Sequence, residues 1–151
     1  MLRRWLLACL CALSLAAASR GEEAPLSRYS AVEIDQTKTS IYIGSVTMTM
    51  PRFTRKDGAF SSTYHARVFP YFFSSEKGRL SIEISDETLR KLERGETIQF
   101  SGKGFNTDGE ERRIEGRAVP TNSTSGKIKV RVFVSKKIEL IFNTTYRFPA
   151  P

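Results

Sequence analysis

The sequence predicts an all-β fold, an antiparallel β-sandwich or partly open barrel of about eight or nine strands, with one short crossover helix near 86–94. Three observations predict it. Apolar residues recur with period two over most of the chain after residue 30, the mark of half-buried strands. Short turns rich in Gly, Asn, Asp and Ser separate these runs, as antiparallel neighbours require. One segment alone shifts to helical spacing, through Leu89 and Leu92.

The elements follow in order. Ile41 and Ile43, then Val46, Met48 and Met50, alternate with polar residues, and Gly44 reads as a bulge where the phase shifts. Arg55-Lys56-Asp57-Gly58 reads as a hairpin turn, Gly58 supplying a positive φ, with Phe60 to Val68 returning. Pro70 cannot donate to a central ladder, so Phe69, Tyr71, Phe72 and Phe73 lie at an edge or bend. Glu76-Lys77-Gly78 is expected to turn the chain into Leu80, Ile82 and Ile84. Thr97 to Gly102 forms the next strand, Asn106-Thr107-Asp108-Gly109 a turn, and Arg112 to Val119 its return. A polar loop over Thr121 to Gly126 precedes the two clearest strands. These run through Ile128, Val130, Val132 and Val134, then Ile138, Leu140 and Phe142, joined by Ser135-Lys136-Lys137.

In the helical segment Asp86 is expected to cap the amino end and Gly95 to take the left-handed position past the carboxyl end. Acids at its start and Arg90, Lys91 and Arg94 at its end suit the helix dipole. Two turns are unstable alone, so both leucines must pack on the sheet, as a plug over one end.

The chain has 151 residues and a formal charge of +8. Its first nineteen residues read as a secretory signal peptide: basic Arg3-Arg4, an apolar run from Trp5 to Leu15, then small residues to Ser19. Arg20, Glu22 and Glu23 follow at once, so the run is too short for a bilayer span. Removing residues 1–19, with two arginines and no acid, leaves 132 residues, 22 basic side chains, 16 acids and a charge of +6. Cys9 and Cys11 leave with the signal. An exported domain without cysteine has neither disulfide nor thiolate chemistry, which favours a bacterial periplasmic or secreted location. A flexible lead over 20–30 and a single β domain over 31–149 complete the organisation.

The chemistry expected is binding, without catalysis or a cofactor. There is no Gly-rich phosphate loop, no His-Glu-x-x-His and no Gly-x-Ser-x-Gly elbow. His65 is the only histidine and reads as a strand residue on a polar face. The carboxylate pairs Glu110 with Glu111 and Asp86 with Glu87 have sufficient roles in a turn and a helix cap.

Two surfaces are candidates for partners. Lys127, Lys129 and Arg131 share one face of a strand, and Arg113 and Arg117 share the outward face of the strand before it. Together they form a basic face for an anionic envelope polymer or lipid headgroup; the ordinary alternative is a solvated face partly neutralised by Glu115 and Glu139. Interleaved acids argue against nucleic acid as the partner. The aromatic cluster Phe69, Tyr71, Phe72 and Phe73 is the second surface, for another envelope protein, against the plainer reading of core packing at a bend. A small barrel carrying an apolar ligand is a further alternative.

Overall fold

The computed structural model describes residues 26–150; the expected signal peptide, with Cys9 and Cys11, lies outside them. The period-two pattern builds ten antiparallel strands: β1 (Ala31–Ile34), β2 (Thr37–Ile41), β3 (Gly44–Thr49), β4 (Phe53–Lys56), β5 (Ala59–Phe69), β6 (Glu76–Glu83), β7 (Ile98–Asn106), β8 (Glu111–Pro120), β9 (Ser125–Phe133) and β10 (Glu139–Arg147). Among the described residues one α-helix, α1 (Asp86–Glu93), lies between β6 and β7. Eight strands close a ring in the order β1, β4, β5, β6, β7, β8, β9, β10, with β10 returning to β1. The fold is therefore a barrel.

The remaining two strands extend its wall. β2 pairs with β3, and β3 runs beside the second half of β5 from Ser45 opposite Phe69 to Thr49 opposite His65. On its other flank the Thr37 hydroxyl of β2 donates to the Asn143 carbonyl of β10 at 3.1 Å. β1 with β2, and β4 with β3, thus behave as two long strands interrupted by bends. Their sequence neighbours are also their spatial neighbours, which gives an up-and-down barrel.

Three local expectations are corrected. Gly44 is no bulge: Tyr42 and Ile43 form a tight turn, and Gly44 opens β3 opposite Ile41. A Cβ there would meet the Phe69 carbonyl oxygen at 2.0 Å, so close strand approach explains the glycine. Glu76-Lys77-Gly78 is strand, paired from Ala66 opposite Glu76; the turn comes earlier, at the 3-10 turn Phe72–Ser74. The helix cap is Ser85, whose side chain accepts from the Thr88 N–H at 3.2 Å, while Asp86 in the first turn pairs with Arg55. The hairpin at Asp57 and Gly58 is as expected, with φ of 52° and 79°.

The two ends of the barrel differ. At the lower end α1 buries Leu89 and Leu92. Of the expected lead, Leu26–Tyr29 form a 3-10 turn with Tyr29 buried. Its ring packs edge-on against Phe148 at 4.7 Å, and Arg28 reaches Glu93 of α1 at 2.6 Å. Arg55 joins the helix start to the barrel through Asp86 at 2.7 Å and the Ile84 carbonyl at 2.9 Å. Phe53, Phe60, Ile98, Ile128 and Tyr146 fill the space above. Burial, then the neighbouring Tyr29, pushes the Tyr146 hydroxyl up to about 12. The upper end carries the β2–β3, β5–β6, β7–β8 and β9–β10 connections. No helix covers it.

Candidate functional site

Strand parity decides what the upper half contains. On β5, Tyr64, Ala66 and Val68 point inward; on β7, Gly104; on β8, Arg112 and Ile114; on β9, Val130 and Val132. Small residues at Ala66 and Gly104 leave space that an eight-stranded barrel otherwise fills. The result is a cavity of about 320 Å³. Its wall is mostly aliphatic, with Ile41, Val46, Val68, Val134 and Leu140 among its residues, and Phe53 and Phe142 lie at its floor. Phe53 also borders the small space of about 40 Å³ in the lower core, so its ring separates the two. In size and lining the upper cavity matches sites for small apolar ligands.

One polar cluster interrupts this wall. The Tyr64 hydroxyl donates to Glu76 Oε1 at 2.5 Å, and Arg112 Nη2 donates to Glu76 Oε2 at 2.8 Å. The same Nη2 donates to Glu110 Oε2 at 2.8 Å, and Asn106 Nδ2 donates to Glu110 at 3.0 Å. Arg112 is 14% exposed in its side chain and Glu76 24%. Burial raises the Glu76 carboxyl, but hydrogen bonds from Arg112, Tyr64 and Asn106 outweigh it and leave the group below its ordinary value. Burial, then the bond to Glu76, pushes Tyr64 up, so it stays a donor. The Glu76 bond likewise raises Arg112. Arg112 Nε is shielded from solvent and lacks a hydrogen-bond partner among the described residues.

A lowered carboxyl makes the barrel acid-sensitive. The folded Glu76 releases its proton more readily than the unfolded one, so its contribution is complete above the ordinary value of 4.5 and fades as pH falls through the folded value. Glu76→Gln should lower stability at neutral pH by about 1–3 kcal/mol, by removing charge-assisted bonds. It should also flatten the acid limb of the stability profile. Denaturant melts at several pH values measure both, and an unchanged acid limb would count against the assignment.

The expected basic face is a real neighbourhood on the outer wall. Glu115 lies opposite Arg131, Arg117 opposite Lys129, and Arg113 opposite Phe133. Arg131 is held by Glu139 at 2.5 Å, and Arg113 stacks over the Phe133 ring at 4.0 Å, with Glu115 3.7 Å away. Lys127, Lys129 and Arg117 have no ion-pair partner among the described residues, and the dip they border is shallow. His65 is half-buried on the outward phase of β5, between Thr49 and Lys77.

The aromatic cluster departs from the core-packing expectation. Phe69, Phe72 and Phe73 are exposed, Phe73 at 87%, and only Tyr71 turns inward to line the cavity. The cis Phe69–Pro70 peptide and the 3-10 turn carry the chain over the barrel rim, where inward and outward phases no longer alternate. Sequence reasoning missed Tyr64, Glu76 and Arg112. The signal was parity: Arg112 shares the phase of Ile114, Glu76 that of Leu80 and Ile82, and Tyr64 that of Phe60. Comparison with protein-family models, with curated proteins and with solved structures finds no match to this chain.

Proposed function

We propose that this protein is an exported, non-catalytic carrier or receptor for a small apolar ligand, held in the upper half of the barrel. The observation that carries the reading is the aliphatic cavity of about 320 Å³, floored by Phe53 and Phe142 and bordered above by rim residues Tyr71 and Ile138. A binding role on the outer basic face is less well supported, because Arg113 and Arg131 are already engaged and the wall there is shallow.

The polar cluster selects the ligand's other end. On the cavity wall Glu76 is balanced by Arg112, while Glu110, 62% exposed, reaches the same guanidinium from outside the lining. A ligand carboxylate would lose its hydration there, and the one cation of the lining is already paired with Glu76. A hydroxyl or amide end carries no charge to desolvate and can donate to the Glu76 carboxylate on the cavity wall. The expected ligand is therefore an uncharged amphiphile.

Displacement of an apolar fluorophore by a long-chain alcohol and by the fatty acid of equal length tests this. At neutral pH the alcohol should bind roughly tenfold tighter or better, a difference of about 1.4 kcal/mol. Ala66→Phe, which fills the cavity from β5, should weaken both by a similar factor while the fold persists. Failure of every apolar probe to bind, together with native mass spectra free of bound ligand, would overturn the carrier reading.

A further inference from the structure

The cavity opens between loops with unusual surfaces. Tyr42 follows Ile41, a wall residue, and is fully exposed. Phe72 and Phe73 follow Tyr71, another wall residue, and Ile138 both lines the cavity and is exposed. In three of the four upper connections, exposed apolar residues therefore directly follow or belong to the cavity wall.

The charges at this end are unequal in their freedom. Lys136 and Lys137 adjoin Ile138 in the β9–β10 turn, Lys77 lies just past the aromatic loop, and none has an ion-pair partner among the described residues. The acids nearby are mostly engaged: Glu76 and Glu110 by Arg112, Glu111 by Lys103 and Glu139 by Arg131. Asp108 is the exception among the described residues. Exposed aromatic rings beside unpaired lysines suit the interface of an anionic bilayer, where rings sit at headgroup depth and lysines meet lipid phosphates.

We infer that the open rim docks on the surface of an anionic phospholipid bilayer, placing the cavity mouth against the lipid from which the ligand enters. The direction of loading rests on the carrier reading, whereas docking itself rests on the rim. An aqueous protein partner would bind the same rim without vesicles.

Flotation of the exported protein with vesicles of phosphatidylcholine, with and without phosphatidylglycerol, tests the inference. Binding is expected with phosphatidylglycerol, weakening as salt rises. Lys136→Glu with Lys137→Glu should lower partitioning roughly tenfold or more. Phe72→Ser with Phe73→Ser should lower it comparably, and thermal melts of these exposed variants should be unchanged. Trp5 is the only tryptophan of the chain and falls in the expected signal peptide, so Phe73→Trp supplies a reporter whose emission should shift blue on vesicles.

Ala66→Phe should dock like the parent protein, which separates loss of the cavity from loss of the rim. Lys127→Glu with Lys129→Glu on the outer wall should also dock normally. Three outcomes would overturn the proposal: no partitioning into phosphatidylglycerol vesicles, normal partitioning of the rim variants, or loss of docking through the outer-wall variant instead.

Discussion

Replacing Phe53 by Ala is expected to destabilise the barrel by about 3–5 kcal/mol, the range for removing a fully buried phenylalanine ring. Phe53 is 0% exposed and faces both interior spaces. It enters from β4 opposite Val32 of β1, where the ring of strands closes. Truncation would lose the ring's own burial and join the upper cavity to the lower core. For a domain of this size the melting temperature should fall by on the order of 10–20 °C. An apolar ligand that fills the enlarged space should recover part of the loss, because it binds the folded state alone. Melts with and without an alkyl alcohol measure both effects. A loss under about 1 kcal/mol would mean that the wall collapses around the missing ring.

Leu89→Ala should cost about 2–5 kcal/mol for similar reasons, with a different local signature. Leu89 is 0% exposed, and α1 has only eight residues. A helix that short persists through its packing, not its propensity. Loss of Leu89 should speed amide exchange across 86–94 before the strands are affected. Exposed Lys91→Ala, on the same helix, should change stability by less than about 0.5 kcal/mol. Ligand affinity at the upper cavity should survive at temperatures where the variant remains folded, since the plug closes the opposite end. Equal loss of exchange protection over β9 and β10 would show that α1 folds and unfolds with the whole barrel.

Much of this architecture was legible from short-range pattern. Ile128, Val130 and Val132 against Lys127, Lys129 and Arg131 define a strand with an inside and an outside whatever its neighbours are. The Asn106–Gly109 turn was legible because Asn106 satisfies its own loop: its side-chain oxygen accepts from the Asp108 and Glu110 N–H groups at 3.0 and 2.9 Å. Tyr146 and Phe148 are buried near the end of the last strand. Gly44 and Gly78 were misread for one reason. Both suggest bulges or turns locally, while their small size answers close strand approach: a Cβ at Gly78 would lie 2.1 Å from the Phe105 carbonyl oxygen.

The candidate site was less visible because its members are far apart in the chain. Tyr64, Glu76 and Arg112 belong to β5, β6 and β8, and each looks ordinary beside its sequence neighbours. Closure of the barrel places them on one inner wall, where burial turns surface-type residues into a bonded cluster. The exposed aromatics were hidden for the opposite reason. Phe72 and Phe73 are typical core residues by composition, and only their position on the rim leaves them without a core to enter.

By itself the sequence determined that the domain is antiparallel β, which side of most strands is apolar, and where the helix and several turns fall. These depend on alternation and backbone preference within a few residues. Tertiary structure alone decided that the sheet closes into a barrel and that the end opposite α1 holds a cavity. That outcome depends on pairing β10 with β1, more than 100 residues apart, and on the volume left inside by Ala66 and Gly104. Neither quantity is carried by any single stretch of chain.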